Sequence, residues 1–443
     1  MSAALPQGTA AGKETGRKVI VFLVRHFNDI DHIVPIVYRM IKDGAAEAKL
    51  LCMDPYLDIR NDVRIRFLQE HFGCRATYIY QAHAPTMRHR LFGFLVCQVP
   101  YWRWPRGLRW VSRIARRVAR KTYGSGWTKR LYDKRWAIGW LQSSEVDRLV
   151  IDFGHKRKFV YAAIADASDE LGIGKIGVPQ GIEFSMDRDW TNKRVATQNP
   201  NVLQDNWGWV GEFVVAGEPV KALYAQLGIP SERIAVLGSA RYCEEWVDVY
   251  HRMLGAGPLQ SDQGKLKVVY MDHAAEYRVD TEAVVASLEA ISRLDFVDLI
   301  VRAHTRFRLS DERIADFCHV VRDIHSVHLI QWADVVMTFT SSIIIDAMNL
   351  NRVFVYPTYF HETRMLWEEY GACWAVSDEI ELVEALRCLH KGDCEAPYSE
   401  EHVITFLTDV VYAGVTAADV LGNYVDHILR SQDRSMAGSS VAS

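Results

Sequence analysis

A chain of 443 residues is about three times the ~150 residues of a common domain, so two large domains or three small ones are expected. Hydrophobic residues make up 49% and charged residues 24%, a globular composition that excludes a disordered chain. Lysine and arginine total 52 against 55 acidic residues, a net charge of −3, so the molecule as a whole carries no polyanion-binding signature.

The opening MSAALPQGTAAGKETGRK is small and polar and has no apolar centre for a secretory signal, so a cytoplasmic protein is expected. The tail to Gly16 and the Ser/Ala-rich end after Ser431 read as disordered. KVIVFLV (18–24) is an apolar run of buried-strand length, IDHIVPIVYRMIKDG a helix that stops at Gly44, and AKLLCMD a second strand. LFGFLVCQVPYWRW, from Leu91, is the longest lipid-like run. It breaks at Pro100 and Arg103, short of the ~20 residues a spanning helix needs.

From His71 to Tyr132 there is no Asp or Glu, while Arg and Lys recur. Leu108, Val111, Ile114, Ala115 and Val118 share one face at helical spacing, and Arg109, Arg113, Arg116, Arg117 and Arg120 crowd the other, with Trp102, Trp104 and Trp110 at the edge. Such a helix suits an anionic membrane surface, here the inner face of the cytoplasmic membrane. Single-stranded nucleic acid is a rival that is not expected to bind, and a helix packed on a sheet with a solvated basic face is the plain alternative.

Alternation then becomes regular. VDRLVIDFG (146–154) reads as a strand, KFVYAAIADASDELGI as a helix and KIGVPQG as a strand, and FVVAGEPVKALYAQLGIPSERIAVLGSARY repeats the rhythm. GAGPLQSDQGK (255–265) reads as a linker. Beyond it come LKVVYMDH, VDLIVRAH, ADVVMTF and RVFVYP as strands, with VDTEAVVASLEAISRL and SSIIIDAMNLN as helices. The expectation is an α/β protein of two doubly wound Rossmann-like domains facing a cleft: an N-terminal one over 17–254 with a basic aromatic insertion at about 86–135, and a C-terminal one over 266–430. Eight cysteines without a C-x-x-C pair suit free thiols better than a disulfide framework or a zinc site, and no metal or cofactor is expected.

In a parallel sheet, ligands lie at the carboxyl ends of strands. Thr340, Ser341 and Ser342 stand at such an end before a helix, where hydroxyls, open backbone N–H groups and the helix dipole suit a phosphate. Asp346, four residues after Ser342, suits a ribose or sugar hydroxyl. The plain alternative is that Thr340 or Ser341 caps the helix. Two further strand ends, Asp272-His273 and Arg302-Ala303-His304 with Arg306 beyond, add cationic groups that suit a diphosphate.

ADVVMTFTSSIIIDAMNLNRVFVY resembles a segment of GT-B glycosyltransferases of bacterial surface polysaccharide synthesis, in which two serines follow a strand and an acid follows in the helix. VRAHTR is similar to the same group's K-x-H-P strand end, VLGSARY to its G-S-x-R, and GVPQGIEFS lies where the CDP-glycerol glycerophosphotransferases carry W-H-G and the Kdo and sialic acid transferases carry acceptor-side residues. The likeness covers about residues 146–390, and it departs at Thr305 for proline, Asp346 for glutamate and Gln180 for histidine. It implies a nucleotide-sugar donor, CMP- or CDP-linked before UDP, with Ser341, Ser342 and His304 toward phosphate, Asp346 toward ribose, and Gln180 and Gly181 on the acceptor side.

Metal-independent inverting transfer needs a base for the acceptor hydroxyl. Glu183 is the first choice, with Asp187 and Asp189 behind it and Asp272 and His273 as rivals. The resulting expectation is transfer of a sugar to a lipid-linked glycan. A glycerophosphotransferase or a sugar-nucleotide epimerase of the same fold, and a non-catalytic nucleotide-binding scaffold in polysaccharide assembly, are the alternatives.

Overall fold

The computed structural model describes residues 16–99, 110, 114, 117–118, 126–152, 159–179, 181–182, 184, 209–226, 228–259, 264–272, 279–304, 311–339, 341–414 and 419–430. Two parallel sheets organise them. The first holds β1 (Val19–Val24), β2 (Glu47–Cys52), β3 (Thr77–Tyr78), β4 (Arg148–Asp152), β5 (Gly174–Val178), β6 (Glu212–Val215) and β7 (Ile234–Val236), in the order β3-β2-β1-β4-β5-β6-β7. The second holds β8 (Leu266–Met271), β9 (Val297–Arg302), β10 (His319–Val321), β11 (Val335–Met337), β12 (Val353–Pro357) and β13 (Trp374–Val376), in the order β10-β9-β8-β11-β12-β13.

Both orders follow one rule. Counted from its own first strand, each sheet runs 3-2-1-4-5-6, with β7 added beyond β6 in the first, so the winding reverses between β1 and β4 in one and between β8 and β11 in the other. These are two doubly wound, Rossmann-like α/β sheets, the fold class expected from the alternating runs. Buried parallel strands need apolar residues on both faces. Accordingly β1 is buried from end to end, and every residue of β4 and β11 is buried too.

By packing the chain divides into one unit of Met1–Val178, Trp209–Glu212 and Leu421–Ser443, and another of Pro179–Gly208 and Phe213–Val420. Within the first, the part of the helix Val420–Arg430 from Leu421 on is held by long-range bonds. Lys18 Nζ donates to the carbonyl of Leu429 at 2.7 Å, and Arg148 Nη1 to that of Ile428 at 2.6 Å.

One expectation is corrected. Cys388 and Cys394 are joined in a disulfide, so only six of the eight cysteines are free thiols. The chain reverses at Gly392, in the left-handed region at φ 68°, which closes the helix Glu379–Lys391 and brings the two Cα atoms to 5.6 Å. No described helix is long and apolar enough to cross a membrane.

Candidate functional site

The second sheet places β9, β8 and β11 side by side, so the three strand ends singled out in the sequence are neighbours at its reversal. At the end of β8, Asp272 is buried. Its backbone N–H donates to the carbonyl of Arg302 at 3.0 Å, and its Oδ2 accepts from the His304 N–H at 3.4 Å. Across the reversal, buried Thr338 donates to the carbonyl of Met271 at 3.2 Å, which ties the ends of β11 and β8 together.

Arg302 points elsewhere. Its Nη1 donates to the carbonyls of Ala303 and Val321 at 3.3 and 3.4 Å, toward β10 and away from the reversal. Its role in the fold is to close the end of the β9–β10 pair.

Beyond β11 the turn satisfies much of its own backbone. Ser341 Oγ accepts from the Ile343 N–H at 3.4 Å, and the carbonyls of Ser341 and Ser342 accept from Ile344 and Ile345, each at 3.2 Å. The N–H groups of Ile343, Ile344 and Ile345 are therefore engaged, and the helix Ile344–Asn349 is only six residues long. The N-cap of that helix is Ile343, without a side-chain cap, so the Ser341 bond lies in the turn before it. What the turn presents at the reversal is the half-buried pair Ser341 and Ser342.

Two residues of this site were missed. Arg241 and Tyr242, in the GSARY segment after β7, meet the serine turn directly. Tyr242 donates its hydroxyl proton to the carbonyl of Ser342 at 2.8 Å, and Arg241 Nη2 lies 3.9 Å from Oδ2 of buried Asp346. The Arg241 guanidinium also lies over the Tyr242 ring, 4.7 Å from its centre. The G-S-x-R likeness was the available signal, but nothing local in the chain couples it to a turn 100 residues away.

A second polar cluster, absent from the sequence reading, lies at the reversal of the first sheet. Arg25, just past β1, pairs through its guanidinium with Asp152 at the end of β4, with Nε 3.0 Å from Oδ2. Tyr161 donates to Asp152 Oδ1 at 2.8 Å, and burial pushes its phenol well up, which keeps it the donor. Asp29 opens the helix Phe27–Lys42 and its Oδ2 accepts from the backbone N–H groups of Arg25 and His26 at 2.6 and 2.9 Å. Burial first, and the charge of Asp152 second, push the Asp29 carboxyl up to about 8. Both acids and Arg25 are buried: Asp152 pairs with the guanidinium, while Asp29 holds the backbone N–H groups of Arg25 and His26.

Of the remaining expected residues, Gly181 is exposed past β5, with buried Ile182 and Phe184 following. The Phe184 carbonyl accepts from the Leu366 N–H at 2.8 Å. Trp110 and Arg117 are both exposed. Gln180, Glu183, Asp187, His273, Arg306, Thr340, Trp102, Trp104, Arg109, Arg113, Arg116 and Arg120 lie outside the described residues. Among the described residues no group of three His, Cys, Asp or Glu side chains could hold a metal ion.

No protein-family model matches the chain, and no curated protein matches it. Solved structures do. The chain is similar to a candidate UDP-N-acetylglucosamine 2-epimerase from Listeria monocytogenes, at 10% identity and a TM-score of 0.57 over 94% of this chain and 98% of that one. It is similar to the UDP-GlcNAc 2-epimerase from Neisseria meningitidis bound to UDP-GlcNAc, at 11% identity and a TM-score of 0.54 over 93% and 99%. It is also similar to the glycotransferase of kitacinnamycin, at 11% identity and a TM-score of 0.50 over 94% and 98%. At such identities the likeness is one of fold, extending over nearly the whole chain.

Proposed function

We propose that the protein is an enzyme that binds a nucleotide-sugar at the carboxyl ends of β8, β9 and β11 and acts on its sugar. The observation that carries this reading is the adjacency of those three ends at the reversal of the second sheet, with Asp272, His304, Ser341 and Ser342 among them. In doubly wound sheets the crevice beyond such a reversal is where ligands bind. Further support comes from the fold neighbours, among them an epimerase holding UDP-GlcNAc and another in complex with UDP-GlcNAc and UDP. A UDP-sugar therefore takes precedence over the CMP- or CDP-linked donor implied by the sequence resemblance.

Epimerisation of the bound sugar is the reaction those neighbours support best, and it needs no acceptor. Transfer to a lipid-linked glycan at the inner membrane face is the second reading. It is favoured by the exposed Trp110, Ile114 and Val118 beside Arg117 in the basic segment, a surface an epimerase has no use for. For transfer, Glu183 is the first choice for the base that takes the acceptor's proton.

Incubation of labelled UDP-, CDP- and CMP-sugars with the protein separates the readings. A new sugar isomer formed without acceptor supports epimerisation, and nucleotide release that depends on added glycan supports transfer. Binding without turnover of any of them overturns the enzyme reading in favour of a scaffold. Under transfer, Glu183→Gln is expected to lower turnover by roughly 10²–10⁴-fold, the usual worth of a positioned acid–base group, with little change in nucleotide affinity.

A further inference from the structure

The helix Met87–Cys97 has apolar residues on two opposite sides. One side seats it. His89, Phe92, Gly93, Val96 and Cys97 are buried, and the Phe92 ring packs on those of Tyr80 and Tyr132 at 5.6 and 5.3 Å. At Gly93 the helix comes so close to the backbone that an added Cβ would stand 2.6 Å from the Tyr80 carbonyl oxygen. Arg60 Nη2 donates to the carbonyl of Cys97 at 2.9 Å, which ties down the far end.

The other side faces outward although it is equally apolar. Met87, Leu91, Phe94 and Leu95 are 75%, 55%, 40% and 48% exposed. At about 100° per residue these positions form one stripe, and exposed Arg88 and Arg90 fall on its two flanks. The helix is firmly seated by its other side, so this exposure is not that of a loosely placed segment. A single exposed leucine is ordinary, whereas Met87, Leu91 and Leu95, aligned on one face of one helix, mark an interaction surface.

Charge selects the occupant. Between His71 and Tyr132 the sequence holds 13 Arg and Lys and no Asp or Glu, so this stretch carries +13 while the rest of the chain carries −3 − 13 = −16. A symmetric contact with a second copy would set this basic stretch against itself, which like charges oppose. An anionic lipid surface meets both features, because arginine heads can reach the headgroups while the apolar stripe enters the interface.

We infer that the outward face of the helix Met87–Cys97 is an in-plane membrane-insertion surface for anionic lipid. It does not depend on which reaction the nucleotide-sugar undergoes. The helix lies along the bilayer through Met87, Leu91 and Leu95 and does not cross it.

The test is sedimentation with phosphatidylcholine vesicles, with and without phosphatidylglycerol. The full chain is expected to sediment with the anionic vesicles and to keep a bound fraction at high salt, because insertion of apolar groups is not screened. Leu91→Ser with Leu95→Ser, at positions exposed in the folded chain, is expected to lower binding by roughly tenfold or more and to remove the salt-resistant fraction. Should that variant fold poorly, Leu91→Cys carrying an environment-sensitive dye supplies a second readout, a blue shift on adding anionic vesicles. A double variant that sediments like the wild type, or a dye that does not shift, overturns the inference. A wild-type dimer in light scattering that Leu91→Ser with Leu95→Ser converts to monomer also overturns it and makes the face an interface between copies.

Discussion

Tyr242 and Ser342, 100 residues apart in the chain, are joined by a 2.8 Å hydrogen bond from the phenol to the serine carbonyl. The bond holds the turn after β11 from outside its own βα unit. It also sets Arg241 beside Asp346 at the start of the helix that the turn leads into. The shape of the serine turn is thus set jointly by the GSARY segment and by the strand that delivers it.

Tyr242→Phe removes that donor and keeps the ring. Loss of one neutral hydrogen bond is expected to lower unfolding stability by about 1 kcal/mol, measured by denaturant titration. If the turn holds the nucleotide, affinity falls in the same variant. Unchanged affinity with lowered stability would confine Tyr242 to a structural part.

Ser341→Ala with Ser342→Ala tests the hydroxyls apart from the backbone. The carbonyls that receive Tyr242, Ile344 and Ile345 survive the change, so the fold is expected to hold with only the weak bond from the Ile343 N–H to Ser341 Oγ lost. Each hydrogen bond to a phosphate is worth roughly 1.5–3 kcal/mol, so calorimetric titration with UDP should show a clear loss. Retained affinity would leave the serines as residues of the turn alone.

Asp152→Ala addresses the buried pair at the first sheet's reversal. It strands the Arg25 guanidinium without its partner, and breaking such a pair typically costs about 3–5 kcal/mol. A large drop in denaturant midpoint is expected, and a near-native midpoint would mean that water reaches Arg25.

Asp29 gives the pH dependence a sign. Its carboxyl rises from an ordinary 3.8 to about 8 in the folded chain, with Arg25, Asp152 and Tyr161 as the charged or titratable groups around it. Between those values the folded state keeps a proton that the unfolded state has lost. Stability therefore falls as pH rises through that window, by at most ~1.4 kcal/mol per pH unit for one proton. Asp29→Asn fixes the neutral form and still accepts from the Arg25 and His26 N–H groups, so it should flatten that slope. Denaturation at a series of pH values checks this, and an unchanged slope assigns the dependence to other groups.

The sequence by itself determined the α/β class, most strands of both sheets and the strand ends where a ligand could lie. Those signals are local: a buried parallel strand must be a short apolar run, and the helix that follows must carry its own period. β3, β10 and β13, of two or three residues, lie in no apolar run that would announce them, whereas the equally short β7 and β11 do. Only the tertiary structure decided strand order, which made three separate strand ends into one neighbourhood. It alone turned Arg302 toward β10, and paired Arg25 with Asp152 across 127 residues. It also returned the last helix to Lys18 and Arg148, 411 and 280 residues back. The physical reason is the same in each case: these groups find their partners across a sheet or between elements, and no periodicity within a segment records which distant carbonyl or carboxylate will arrive there.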